Sequence, residues 1–387
     1  TYKIDSMKII KFWEYQKEYK FLKKKGLIKK IDRSLQSGEI FYGNSLKKFE
    51  NKFLKFNKSK YGLAVKSGTD ALIVSLIAAG VKQGDQVITV SLTAIPTISA
   101  IVTIGAIPVF VDIKDNCLID EFEIEKKITK KTKAIIPVHL YGNVCNMQKI
   151  TKIANKFKIK IIEDCAQSLG ARYQNKLVGN FGDFGCFSFY PTKVLGAYGD
   201  GGFIVCKNKK DLAQMKQLCF YGLETSNIKH KKYKSYYSNI HGINSRIDNI
   251  QATILSFKLN FLSFWIKRRQ KIAQVYSKKL FNQKKINKDH VFHLYVLRTN
   301  LRDKLKKYLH SVGILTGIHY ENPTHIMKPY LKYFNKKKDS LNKSKKISKE
   351  IISLPLHPFI SNKEIFKIIS EIKKFNKMNL NEIKQTF

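Results

Sequence analysis

Three short stretches of this chain hold side chains whose types and spacing could do chemistry together. "SGTDAL", residues 67–72, sets Ser, Gly and Thr where a helix should begin. The amides and positive end of such a helix can cradle a phosphate, and the same residues could equally form a simple cap of its first turn. "IIEDCAQ", 161–167, ends an apolar run in two carboxylates and puts Gln167 three residues beyond Asp164. A buried carboxylate needs a partner. A cationic ring nitrogen would serve, and so would the first turn of a following helix. "FSFYPTK", 187–193, places Ser188 at the end of another apolar run and Lys193 in the turn after it. "GDGG", 199–202, then supplies a tight turn that lets the next run approach closely.

Lys193 read alone says nothing, because the chain has 65 lysines and seven arginines. Held among apolar neighbours, however, an amine loses its proton more easily, as a Schiff-base lysine must. The combination is more specific than its parts. A phosphate cradle at Gly68 and Thr69, Ser188 for the same phosphate, Asp164 for a pyridinium and Lys193 for an aldehyde describe one cofactor site. That cofactor is pyridoxal 5'-phosphate (PLP), whose ring is an electron sink. No metal site is expected. The six cysteines (117, 145, 165, 186, 206 and 219) show no C-x-x-C pair and no zinc spacing. Several lie in apolar runs, where a reduced cysteine packs as a small hydrophobe, and a reducing cytoplasm is the predicted setting.

The elements that must position these residues follow from the periodicity. Apolar strand-like runs, "QVITV", "IPVFVDI", "KAIIPVHLYG", "KIKIIEDCA", "FGCFSFY" and "GGFIVC", alternate with helical ones such as 146–157. This pattern predicts an α/β fold with a mostly parallel sheet, covered by helices on both faces, and ligands at the carboxyl ends of its strands. The run 244–265 reads as one long amphipathic helix, beyond which the texture becomes shorter and richer in lysine. The predicted division is a large domain over 1–255, with an N-terminal helical segment, and a smaller α+β domain over 256–387.

Two features could suggest other classes. From 87 to 111 there are 25 residues without a charge, long enough to cross a bilayer. Pro96, Gly105 and Pro108 break that run into a strand (87–90), a helix (96–104) and a strand (107–112), so no membrane insertion is expected. The sequence starts at Thr1 with no signal-peptide core, and Met7 is one candidate native start. The formal charge of +43 invites a nucleic-acid reading. Lysine is spread along the whole chain, though, and arginine, the bidentate phosphate ligand, is scarce. No nucleic-acid partner is expected; attraction of anionic small substrates is.

Over about 43–358 the chain resembles the DegT/DnrJ/EryC1/StrS family of sugar aminotransferases. These are PLP enzymes with the aspartate aminotransferase-like fold (fold type I). The motifs that carry the resemblance are "SGTDAL", "GAIPVFVDI", "PVHLYGNVCNM", "EDCAQSLGARYQNKLVGNFGDFGCFSFYPTK", "NSRIDNIQATIL", "GILTGIHYENPTH" and "SLPLHP". The resemblance implies that Lys193 binds the cofactor aldehyde and later moves the 1,3-proton. It implies that Asp164 keeps the pyridine nitrogen protonated and that Gln167 lies against the ring. Gly68, Thr69 and Ser188 would hold the phosphate. Asn244 would reach the phosphate of the neighbouring subunit, implying a homodimer with two shared sites. Tyr221, His319 and Tyr320 are the implied substrate-side residues, and glutamate and a nucleotide-linked keto sugar the implied substrates.

One departure matters. Many members carry an aromatic residue after the threonine of a "P-x-x-T-F" segment, stacked on the ring. Here "VSLTAIPT" has Ala94 at that place. Together with "HGINSR", this resembles the branch that aminates 3-keto nucleotide sugars. The expected reaction is therefore amination at C3 of a dTDP-3-keto-6-deoxyhexose, for glycan or glycoside biosynthesis. UDP-linked substrates and amination at C4 remain open. A sugar dehydratase of the family would replace Lys193 by histidine, and a non-catalytic basic binding protein would have lost Lys193 or Asp164.

Overall fold

Strands that are covered on both faces read as continuous apolar runs, and seven of them here form one sheet. The computed structural model describes residues 9–223, 237–335, 340–379 and 383–386; Met7 lies outside them. The chain enters through three helices, α1 (Tyr15–Lys24), α2 (Leu27–Gln36) and α3 (Asn44–Asn57). Strands β1 (Tyr61–Val65), β2 (Gln86–Val90), β3 (Ile107–Val111), β4 (Thr132–Ile135) and β5 (Lys160–Asp164) follow. A short hairpin, β6 (Arg172–Tyr173) and β7 (Lys176–Leu177), precedes β8 (Phe184–Ser188) and β9 (Gly202–Cys206). Between them run α4 (Gly68–Ala78), α5 (Ile95–Thr103) and α6 (Met147–Phe157), and α7 (Lys209–Leu218) follows β9.

The large sheet has the order β1-β9-β8-β5-β4-β2-β3. Its pairs from β8 to β3 are parallel, and β9 alone runs antiparallel to both neighbours. Alternate residues of β8 and β9 face opposite sides. Cys186 and Ile204 join one core with Val87, Ile88, Ile135 and Ile162. Phe187 and Phe203 join a second core with Phe49 and Phe53 of α3. There Phe53 and Phe203 stack with centroids 4.2 Å apart.

The uncharged stretch 87–111 resolves into β2, α5 and β3, with Pro96 in the first turn of α5. No helix among the described residues is long and apolar enough to cross a membrane.

The run 244–265 is not one helix. Asp248 caps α8 (Asn249–Lys258) by accepting from the Gln251 amide at 2.8 Å, so the helix starts only at 249. A 3-10 turn, Leu259–Phe261, then interrupts it before α9 (Leu262–Phe281). Strands β10 (Tyr295–Arg298), β11 (Ile351–Leu354) and β12 (Lys384–Gln385) form a second, antiparallel sheet in the order β11-β10-β12. Helices α10 (Arg302–Ser311), α11 (Asn342–Glu350) and α12 (Asn362–Met378) accompany it. Ile272, Tyr276, Tyr295, Leu309, Ile352 and Ile368 pack there in a separate core, which Ile10 of the N-terminal segment also joins.

Candidate active site

The carboxyl ends of β1, β5 and β8 bring the three motifs together. Asp164 closes β5 and is buried. Its Oδ2 accepts from the Thr97 hydroxyl at 2.8 Å, and its Oδ1 accepts from the Ala166 amide at 3.1 Å. Thr97 lies in the first turn of α5, where its hydroxyl is also 2.9 Å from that of Thr93. Each carboxylate oxygen has a second lone pair, so a cationic N–H can still be accepted.

Glu163, the other half of the "ED" pair, does different work because successive strand residues face opposite sides. It accepts from the amides of Gly179, Phe181 and Gly182 at 2.8, 2.7 and 2.7 Å, and lies 3.1 Å from His139 Nε2. His139 Nδ1 accepts from the Cys145 amide, which leaves the ring proton on Nε2, facing Glu163. His139, Glu163 and Cys165 approach one another within 4.8 Å. The His139 nitrogens and Glu163 oxygens are committed to this clamp, and burial pushes the Cys165 thiol well up, away from the thiolate a metal needs. Glu163 fastens the 179–182 loop to the sheet.

Ser188 closes β8, and Lys193 follows in a turn whose amide donates to Tyr190 O at 2.8 Å. Desolvation pulls the Lys193 amine down to about 8, against the opposing pull of the Asp164 charge. Lys193 is thereby distinguished from the solvated lysines around the surface.

At the phosphate end, Ser67 is indeed a helix cap: its Oγ accepts from the Asp70 amide at 3.0 Å. The cap does not exclude the cradle. First-turn amides have no intrahelical acceptor, which leaves those of Gly68 and Thr69 at the helix mouth. A Cβ on Gly68 would lie 2.6 Å from Ser188 Cβ, so glycine is what lets α4 meet the end of β8. A Cβ on Gly202 would lie 2.3 Å from Ser67 O, which accounts for the tight "GDGG" turn.

Gln167 is buried and held at both ends. Its Oε1 accepts from the Tyr141 amide at 2.7 Å, and its Nε2 donates to the Tyr320 hydroxyl at 2.9 Å. Burial and the nearby Asp164 raise the Tyr320 phenol, which keeps it protonated. The Tyr141 hydroxyl donates to the carbonyl of His319, and His319 Nδ1 is 2.9 Å from Ser353 Oγ. Desolvation, then the Lys193 charge, lower His319 to about 4, so its ring is neutral at neutral pH.

Lys193, Asp164, Gly68, Thr69, Ser188, Gln167, His319 and Tyr320 therefore share one neighbourhood. Among the described residues, no hydrogen bond joins Asn244 or Tyr221 to it. Asn244 is exposed, and its Oδ1 accepts from Arg246 Nε at 2.9 Å. Tyr221 is exposed on a left-handed residue (φ 56°) before Gly222. Thr97 and Tyr141 are additions that the motifs did not reveal. A threonine buried in the first turn of a helix after a strand is the available signal for Thr97. For Tyr141 it is the "YG" turn, where Tyr141 has φ 61° and Gly142 has φ 98°.

The profile of the DegT/DnrJ/EryC1/StrS aminotransferase family matches residues 22–373. A relative from Aneurinibacillus thermoaerophilus, named dTDP-3-amino-3,6-dideoxy-alpha-D-galactopyranose transaminase, is 39% identical over 89% of this chain and 94% of its own length. One from Acidithiobacillus ferrooxidans, named UDP-N-acetyl-3-dehydro-alpha-D-glucosamine 3-aminotransferase, is 34% identical over 89% and 92%. Among solved structures, S. venezuelae DesV in complex with a ketimine intermediate superposes with a TM-score of 0.88, at 31% identity, covering 95% of this chain and 98% of that one.

Proposed function

Because this chain belongs to the DegT/DnrJ/EryC1/StrS aminotransferase family, we propose that it moves an amino group from glutamate to C3 of a dTDP-linked 3-keto-6-deoxyhexose. The coarser activity is that of its relatives: a PLP-dependent sugar aminotransferase acting on nucleotide-linked keto sugars. The observation that carries the reading is the convergence at three strand ends. Gly68 lies against Ser188, and the Lys193 amine is depressed beside a buried, hydrogen-bonded Asp164.

These residues fit PLP. Gly68, lacking a Cβ, lets the free first-turn amides of α4 stand against Ser188, which suits a phosphate, and Asp164 keeps acceptor capacity for a ring N–H. When bound, the cofactor supplies an electron sink for the carbon that carries the amino group. Asp164 would hold the proton of the ring nitrogen, with Thr97 and the Ala166 amide fixing its two oxygens. Lys193 Nζ would take the aldehyde and, once released, carry the proton between carbons. A positioned base of this kind contributes roughly 10²–10⁴-fold. Gln167, fixed between Tyr141 and Tyr320, would orient the ring, and neutral His319 would face the sugar.

Position C3 rests on Ala94, on "HGINSR" and on the names of both relatives. The pocket decides which sugar carbon stands over Lys193, and that geometry tolerates little error. The enzyme, given glutamate and either a 3-keto or a 4-keto dTDP-6-deoxyhexose, should aminate only the 3-keto sugar efficiently, as located by NMR. Amination of the 4-keto sugar alone would refute the C3 assignment. The second relative favours a UDP-linked alternative, which substrate competition between dTDP and UDP sugars would decide.

Three further parts belong to this reading. A homodimer with shared sites is favoured by the exposed Phe41 and Tyr42, whose rings lie 4.8 and 5.8 Å from the guanidinium of Arg246, two residues from Asn244. A cytoplasmic setting is favoured by six free, buried cysteines. The division into a large and a small domain is favoured because α8 and Leu262 pack in the core of the large sheet, while Ile272, Ala273 and Tyr276 of α9 pack in the second core.

A further inference from the structure

The N-terminal segment ahead of α1 reaches the site from outside every motif considered so far. Ile10 pins it: its amide donates to Gly313 O at 2.8 Å, and its carbonyl accepts from the Leu315 amide at 3.0 Å. On the other side, Glu18 of α1 meets the buried Lys258, whose ammonium also meets Gly196 O in the loop just after Lys193. Between these anchors, two aromatic rings face inward. Phe12 stacks on His319 with centroids 5.5 Å apart and planes 19° apart. Trp13 stacks on His293 at 5.7 Å and 25°, and the Arg269 guanidinium lies 5.8 Å from the Trp13 ring.

The two histidines differ in what else holds them. His319 has Ser353 on Nδ1. His293 is buried, and among the described residues its Nδ1 has no hydrogen-bond partner. Trp13, stacked on it, helps to hold its ring plane. Burial lowers His293 well below the usual imidazole value, with Lys193 next among the causes and Arg269, His319 and His290 adding. The charged and titratable groups about Lys193 are thus Asp164 from β5, His319 and its neighbour Tyr320, and His293 ahead of β10 with Arg269 of α9 behind it.

We infer that Phe12 and Trp13 are positioning residues of the active site, which lock His319 and His293 in place and keep water from the Lys193 amine. The inference rests on the reading of Lys193 given above. The segment acts through the imidazoles, and from His319 the contacts pass to Tyr141 and, through Tyr320, to Gln167. Above pH 7 both imidazoles are neutral whether wet or dry, so admitting water changes chiefly the solvation of the amine. Its proton affinity must then rise.

The test uses the full chain loaded with the aminated cofactor, which leaves Lys193 a free amine. Trace acetylation across pH, read by peptide mass spectrometry, gives the Lys193 midpoint. In the parent it should lie near 8. In Phe12→Ala/Trp13→Ala it should rise by about one unit toward an ordinary lysine, while Trp13→Phe alone, which keeps a stacked ring, should not move it. A folded double variant with an unchanged midpoint overturns the inference. Should the double variant not fold, Phe12→Ala alone removes the ring stacked on His319 and opens the cover, and an unmoved midpoint there overturns it equally. Borohydride mapping of the cofactor lysine is independent of this. A different labelled lysine would sink the functional reading, whereas an unmoved midpoint with Lys193 labelled sinks only the role of the segment.

Discussion

The Thr97 hydroxyl donates to Asp164 Oδ2 at 2.8 Å, from a helix 67 residues upstream in sequence. Because the Ala166 amide holds the other oxygen, the carboxylate cannot turn away from a ring nitrogen. Thr97→Val keeps the shape and deletes the donor. A hydrogen bond to a charged group is worth about 1.5–3 kcal/mol, so kcat/KM should fall about 10- to 100-fold. Thr97→Ser should retain most activity. Steady-state kinetics with a thermal midpoint on each variant checks this, and a Val variant as active as the parent would remove Thr97 from the site.

That contact also marks the limit of what the sequence could show. The strand ends, Gly68, Ser188, Asp164 and Lys193 were legible because each sits in a local pattern: apolar run, turn, then polar residue. Thr97 lies inside the uncharged stretch 87–111, where no local pattern sets it apart. Tyr141 stood in a turn whose left-handed backbone has no reliable signature outside glycine and asparagine. The break at 259–261 was invisible for a related reason. An apolar periodicity that runs through a 3-10 turn looks like one helix, and the buried Lys258 beside that break gains its partners from Glu18 and Gly196, far away in sequence.

Four histidines should make the protein sensitive to acid. Burial lowers His290 and His357 to about 3, His319 to about 4 and His293 well below its usual value. The unfolded chain then binds more protons than the folded one below about pH 6.5. Their stabilising contribution is complete above that pH and is lost as pH falls toward the folded values. Urea midpoints should fall steeply between about pH 6 and 4. His357→Gln should flatten the slope by about one proton. A parent midpoint independent of pH over that window would contradict the buried, neutral state of these rings.

Asn244 is exposed in one chain, beside an exposed aromatic group, and should complete the site of a second. Lys193→Ala and Asn244→Ala proteins should each be nearly inactive. Mixed under conditions that allow exchange, they should recover activity, since one of the two sites in the heterodimer bears neither lesion. Activity assays alongside native mass spectrometry follow this. Heterodimers that form yet stay inactive would place Asn244 in its own subunit's site or in none.

Lys193 is the center of the account, and desolvation draws its amine down to about 8 near a buried carboxylate at a strand end. The purified protein should be yellow, and borohydride should bleach it while fixing the cofactor to one lysine. Proteolysis and mass spectrometry should then find the pyridoxyl group on Lys193, within "FSFYPTK", and on no other of the 65 lysines. Lys193→Ala should abolish turnover and fixation together. A pyridoxyl group on any other lysine, or a variant without Lys193 that still turns over, would contradict the account.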